Sequence, residues 1–185
     1  MGKLIFITGG ARSGKSTFAQ QLAQRISTRV VFIATAEALD DEMAERIRNH
    51  QNARPSSWIT IEAPMNISEK LIQKRAFGDV VIIDCLTLLV SNILLQSMNE
   101  NQPNETKIKE LIRKEYLNLM KLINKSSSLW IIVSNEVGLG IVPGDLTSRL
   151  YRDLLGRMNQ WVAEKADEVY FMIAGIPVPI QQFRS

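Results

Sequence analysis

The feature that most constrains this chain is a series of short runs that are apolar almost from end to end, separated by amphipathic stretches. "KLIFITG", "RVVFIAT", "VVIIDC", "LWIIVSNE" and "DEVYFMIAG" are too short for helices and lack polar alternation, the pattern of strands buried on both faces. "SWITIEA" alternates and reads as a shorter strand. Between these runs, "KSTFAQQLAQRI" places Phe18, Leu22 and Ile26 at helical spacing. "DDEMAERIRNH" has an acidic start, which suits the positive end of a helix. "KIKELIRKEYLNLMKLI" sets Ile108, Leu111, Ile112, Leu119, Leu122 and Ile123 on one stripe, and "LTSRLYRDLLGRMNQWVAEKA" is helical again. This alternation predicts an α/β chain, with a mostly parallel sheet, helices on both faces and ligands at the C-terminal strand ends. Its 185 residues are expected to form one domain, 1–185, with residues 96–107, "QSMNENQPNETK", as the main polar loop.

The first strand and helix enclose "GGARSGKS", a match to G-x-x-x-x-G-K-[ST]. Gly9, Gly10, Ala11, Arg12, Ser13, Gly14, Lys15 and Ser16 are therefore the expected nucleotide-binding loop of a P-loop NTPase. The glycines let backbone N–H groups curl around phosphate oxygens. Lys15 supplies a charge for the β and γ phosphates, and the Ser16 hydroxyl is a ligand for Mg²⁺. Asp84, which ends "VVIID", stands where such enzymes hold that metal, so Ser16 and Asp84 are the expected metal residues. The alternative for Asp84 is a strand-end acid capping the next helix. A Ras-type N-K-x-D is absent: "NKSS" at 124–127 lacks the acid, and the protein-kinase signatures are missing.

Composition narrows the setting. A net charge of +3 without any five-residue Lys/Arg block gives no reason to expect nucleic acid. The single cysteine, Cys85, forms no internal disulfide and reads as a small buried residue in a reducing compartment. "MGKLIFITGG" has too short an apolar core for a signal peptide, and Phe6 replaces the Ser or Thr of a myristoylation signal. No apolar run approaches 18 residues, so no membrane insertion is expected and the location is read as cytoplasmic.

His50 is the only histidine. Met43, Ile47 and His50 fall at helical spacing, so one reading is a half-buried residue on a packed face. The other is a nucleophile: neutral imidazole attacks phosphorus and forms a phosphoramidate, dividing one transfer into two steps.

Beyond these features the sequence resembles the bifunctional adenosylcobinamide kinase / adenosylcobinamide-phosphate guanylyltransferase family of cobalamin biosynthesis. The resemblance spans nearly the whole chain. It rests on "TGGARSGKS", "FIATAEALDDEMAERIRNHQNARPSSWITIEAP", "IIDCLTLLVSN", "SNEVGLGIVP", "RDLLGRMNQWVAEKADEV" and "GIPV". It implies a RecA-like P-loop fold, a homotrimer, and two reactions. In the first, ATP or GTP phosphorylates the aminopropanol hydroxyl of adenosylcobinamide. In the second, GTP gives GMP to that phosphate through a guanylylated histidine, with loss of pyrophosphate. His50 matches the family's histidine, while Asn49 stands where some relatives carry another.

The resemblance also carries over further nucleotide-binding residues. Ala34, Thr35 and Ala36 end the second strand, where small residues permit close approach. Gln51, Asn52, Ala53 and Arg54 follow the histidine, and Arg54 is suited to phosphate oxygens. Glu62 ends "WITIE" and is expected to accept from guanine's ring N–H and amino group; its alternative is a solvated strand-end acid. Glu136 either activates the substrate hydroxyl or arranges the metal shell, or else anchors its own loop. Arg157 and Asn159 are candidates for a subunit or substrate surface, or plain helix-surface polarity. Two other functions stay open at this point. A P-loop small-molecule kinase would need His50 only structurally, and a RecA-like nucleic-acid module would show salt-sensitive binding.

Overall fold

A computed structural model describes residues 2–37, 45, 48, 51, 54–98 and 104–183. The expected helix at 40–50 lies outside these except for Glu45 and Arg48, both helical. His50, Asn49, Asn52 and Ala53 also lie outside the described residues.

The strands β1 (Leu4–Gly9), β2 (Val30–Ala34), β3 (Ile59–Glu62), β4 (Val80–Asp84), β5 (Leu129–Val133), β6 (Glu168–Ile173) and β7 (Ile176–Pro179) form one seven-stranded sheet, in the order β3-β2-β4-β5-β1-β6-β7. All neighbours are parallel except the β6–β7 pair. The helices are α1 (Lys15–Ile26), α2 (Ile67–Lys74), α3 (Leu86–Met98), α4 (Glu105–Lys125) and α5 (Leu146–Lys165), followed by a 3₁₀ turn at Gln181–Phe183.

Central strands alternate their side chains between two cores. Leu4, Phe6, Val81, Ile83 and Ile132 face α2, α3, α4 and α5. Ile5, Ile7, Phe32, Ile82 and Ile131 face α1. Both faces are therefore apolar, which is why these strands read as unbroken hydrophobic runs. Asn104 opens α4 by accepting from Thr106 N–H at 2.9 Å, and Asp145 opens α5 by accepting from Ser148 N–H at 2.8 Å.

Several elements depart from the pattern-based reading. α1 buries Ala19 and Ala23 fully, with Phe18 and Leu22 half-buried against the same core, while Ile26 is exposed. A helix that follows a tight loop onto the sheet approaches closely, and only small side chains fit beneath it. Leu111 is likewise exposed, whereas Glu115 is buried in the α4 stripe. Its carboxylate accepts Ile67 N–H at 2.8 Å and so caps α2 from another element, since the side chain of Asn66, the residue before α2, does not. Helices α2 and α3 and strand β7 have no counterpart in the pattern-based reading. The polar loop is shorter than 96–107, because α3 runs to Met98 and α4 begins at Glu105.

Candidate functional site

The loop between β1 and α1 is shaped by two glycines. Gly9 has φ +147°, and a Cβ there would lie 2.6 Å from Met172 O and 3.0 Å from Ser13 Oγ. Gly14, at φ +92°, precedes α1 without any side-chain cap, and the first turn carries no acid. The first-turn N–H groups and the positive helix end are thus left for an anion. The loop is held on both sides: Glu136 N–H donates to Gly9 O at 2.9 Å, and Gly175 N–H donates to Ser13 O at 3.0 Å. Ser13 N–H closes the turn on Gly10 O at 3.3 Å. Ala11 and Arg12 are exposed at the tip, Arg12 with φ 55°.

Lys15 folds back over this loop. Its ammonium donates to Gly10 O at 2.6 Å and to Ser13 Oγ at 3.5 Å, and the residue is only 7% exposed. Desolvation lowers its pKa, opposed by the negative charge of Asp84. A phosphate oxygen in place of the Gly10 carbonyl would return to this ammonium the ionic partner that burial denies it.

Asp84 ends β4, and β5 alone separates β4 from β1. Its backbone is therefore roughly 10 Å across the sheet from the end of β1. It nonetheless acts electrostatically on Lys15 from one side and on Arg54 from the other. The Arg54 guanidinium lies 3.6 Å over the Phe32 ring. Burial lowers its pKa and Asp84 opposes this. Arg54 Nε and Nη1 are buried without a hydrogen-bond partner.

Thr35 differs from expectation. β2 ends at Ala34, and Thr35 is fully buried. Its hydroxyl donates to Cys85 O at 2.8 Å and accepts from Cys85 N–H at 2.7 Å. The side chain fixes the backbone after Asp84 and is not open to a ligand; Ala36 is half-buried. The Cys85 thiol is pushed up to about 11 by burial first and by Asp84 second, so it stays neutral at ordinary pH.

Glu62 is exposed at the end of β3, where Gln51 Nε2 donates to its Oε1 at 3.3 Å. β3 lies four strands from β1, roughly 19 Å at ordinary strand spacing. Glu62 and the phosphate loop are therefore not one cluster; only a ligand laid along the strand ends meets both.

Glu136 anchors its own loop, accepting Gly138 N–H on Oε1. Asn159 is neither a subunit surface nor helix-surface polarity: it is buried, and its amide donates to Asn135 O at 3.0 Å. It ties α5 to the segment after β5. Arg157 is exposed, at a groove between α4 and α5. Two positioning residues escaped the sequence analysis. Asn92 donates to Thr35 O at 2.8 Å and Pro64 O at 3.1 Å, and Thr87 Oγ1 accepts Asn135 N–H at 2.8 Å. Their signal was polarity inside the otherwise apolar "LTLLVSNILL".

Among the described residues no group of three or more His, Cys, Asp or Glu is placed to hold a metal. Ser16, half-buried in the first turn of α1, and Asp84 offer a hydroxyl and a carboxylate. These are the hard oxygen donors that Mg²⁺ takes when it keeps waters and phosphate oxygens as its other ligands.

A glycine-shaped loop between a central strand and its helix, with an acid ending the next strand but one, defines a P-loop nucleotide-binding α/β protein. In keeping with this fold, a solved structure of a prototypical ATPase from the type III secretion system of pathogenic bacteria superimposes with a TM-score of 0.55 at 11% identity, covering 92% of this chain and 52% of that one. Within that class, the family model described as cobinamide kinase / cobinamide phosphate guanyltransferase matches residues 5–180, and the chain belongs to this family. It is accordingly an enzyme, a bifunctional kinase and guanylyltransferase. It is 38% identical over 181 residues to the bifunctional adenosylcobalamin biosynthesis protein CobU of Escherichia coli strain K12, covering 96% of this chain and 99% of that protein. The Salmonella typhimurium protein of the same name gives the same identity and coverage. The bifunctional adenosylcobalamin biosynthesis protein CobP of Pseudomonas aeruginosa is 38% identical over 175 residues, 95% of each chain. No helix among the described residues is long and apolar enough to cross a membrane.

Proposed function

We propose that the chain phosphorylates adenosylcobinamide with ATP or GTP and then transfers GMP from GTP to adenosylcobinamide phosphate through a guanylyl-His50 intermediate, giving adenosylcobinamide-GDP and pyrophosphate. The observation that carries this reading is the glycine-shaped loop with its buried Lys15 ammonium on Gly10 O, together with Arg54, in the segment that follows His50, whose guanidinium lies over Phe32 of β2 with Nε and Nη1 unpartnered.

In the first step the substrate hydroxyl attacks the γ phosphorus, the bond to the β-phosphate oxygen breaks, and the nucleoside diphosphate leaves. Loop N–H groups and Lys15 bind the β and γ phosphates and oppose the charge that develops on them. In the second step a neutral His50 nitrogen attacks the α phosphorus of GTP and expels pyrophosphate. The corrinoid phosphate then attacks the same phosphorus and releases the imidazole. Bound Mg²⁺, held by Ser16 and Asp84, would offset negative charge on the leaving phosphates. Arg54, with Nε and Nη1 unpaired, is suited to binding α-phosphate oxygens in the guanylyl step. Gln51 orients Glu62, which accepts from guanine, so the nucleotide lies along the strand ends in the guanylyl step. Ala34 ends β2 on that path and Ala36 follows it, and Asn52 and Ala53 follow the histidine in the sequence.

The enzyme is read as a cytoplasmic homotrimer, which light scattering on the purified protein tests. The reactions are tested by incubating the protein with adenosylcobinamide, Mg²⁺ and either ATP or GTP, and taking product masses. The expected products are adenosylcobinamide phosphate with either nucleotide and the GDP-linked corrinoid with GTP alone. No corrinoid product with nucleotide demonstrably bound would overturn the reading.

A further inference from the structure

The phosphate loop has an apolar rim that a nucleotide has no use for. After Glu136, whose N–H is bonded to Gly9 O at 2.9 Å, the chain exposes Leu139 (81%), Ile141 (97%), Val142 and Leu146 (78%). On the other side, Gly175 N–H is bonded to Ser13 O at 3.0 Å, and the β6–β7 hairpin that carries it exposes Ile173 and Ile176 beside its turn. β5 and β6 flank β1, so these two segments stand on opposite sides of the loop. Isolated exposed aliphatics are ordinary, but six set around one site mark a contact surface.

Phosphates and ribose call for donors and charge, which the loop backbone, Lys15 and Arg54 provide. Uncharged aliphatic side chains around the same loop match a large ligand with extended apolar faces. We infer that Leu139, Ile141, Val142, Leu146, Ile173 and Ile176 form the docking rim for the macrocycle of the acceptor, a corrinoid, and hold its alcohol arm over the loop. This rests on the proposed function and deepens it by placing the acceptor. The occupant is argued from continuity: both segments are hydrogen-bonded directly to the loop that presents the γ phosphate, so a body resting on them has its arm within reach of the transferred group.

The test uses Ile141→Asp and Ile176→Asp, both at exposed positions where folding is not at stake, with adenosylcobinamide as the varied substrate in the kinase assay. Each variant is expected to raise KM for the corrinoid by about ten-fold or more, the scale of removing one aliphatic side chain from an apolar ligand face. The KM for ATP, and the mass of the particle by light scattering, stay at the wild-type values. An unchanged corrinoid KM overturns the inference while leaving the functional reading intact. A changed particle mass also overturns it, because the rim then belongs to a second copy of the chain. Absence of corrinoid phosphorylation in the wild type overturns both.

Discussion

Gly9 and Met172 sit so close that a single added methyl group would collide: a Cβ on Gly9 falls 2.6 Å from Met172 O. The tightness comes from β6 pairing alongside β1 up to its last residue, Gly9 opposite Met172. The phosphate loop is therefore pressed into shape by its neighbour strand as well as by its own sequence.

Gly9→Ala is expected to cost on the order of 2 kcal/mol, because the backbone must hold φ +147° and the Cβ must displace a carbonyl. Gly10→Ala serves as the contrast: nothing lies within 4 Å of its Cβ, so its stability stays within about 0.5 kcal/mol of wild type. Urea unfolding of both variants decides, and equal midpoints would contradict the account.

Thr35 clamps the backbone after Asp84. Thr35→Val keeps the shape and removes the hydroxyl that serves both Cys85 O and Cys85 N–H. Cys85 N–H then lacks a partner, while Cys85 O keeps Leu89 N–H at 3.3 Å, for an expected loss of about 1–2 kcal/mol. Thr35→Ser retains both hydrogen bonds and should lose far less. Denaturation midpoints that rank the two variants in the opposite order would exclude the clamp.

Glu115 gives the fold a definite pH response. Burial raises its pKa in the folded chain, outweighing the hydrogen bonds from Ile67 and Asn66 N–H that lower it. The folded state then binds the proton more tightly than the unfolded state, so this contribution is fully present below the unfolded value of about 4.3. It is lost as pH rises through the raised folded value. Glu115→Gln can still accept Ile67 N–H and carries no charge, so the slope of stability against pH in that window should become less negative than in wild type. Unfolding measured at several pH values checks this; an unchanged slope would mean that Glu115 is not its source.

The sequence made the sheet and its ligand edge legible because strands covered on both faces, such as Val80–Asp84, are written as continuous apolar runs. The loop from Gly9 to Ser16 was legible for a different reason: its glycines answer a backbone demand that spacing alone reveals. What escaped depends on tertiary context. α3 is nearly apolar all round, so no stripe separated it from the strand before it. β7 contains two prolines, which an edge strand tolerates and a strand pattern argues against. Thr35 and Asn159 looked like ligand or surface residues because nothing local says that a polar side chain will be buried against Cys85 or Asn135. That Glu62 ends a strand was legible, but its distance from the phosphate loop follows only from β3 standing at the far edge of the strand order.

The central claim is that His50 carries the guanylyl group, and the direct measurement is the intact mass of the denatured protein after incubation with GTP and Mg²⁺ without corrinoid, alongside His50→Ala. The account predicts a gain of one GMP in the wild type and none in the variant. An unmodified wild-type mass under conditions where GTP binding is demonstrated would contradict it and leave His50 a structural residue of a P-loop kinase.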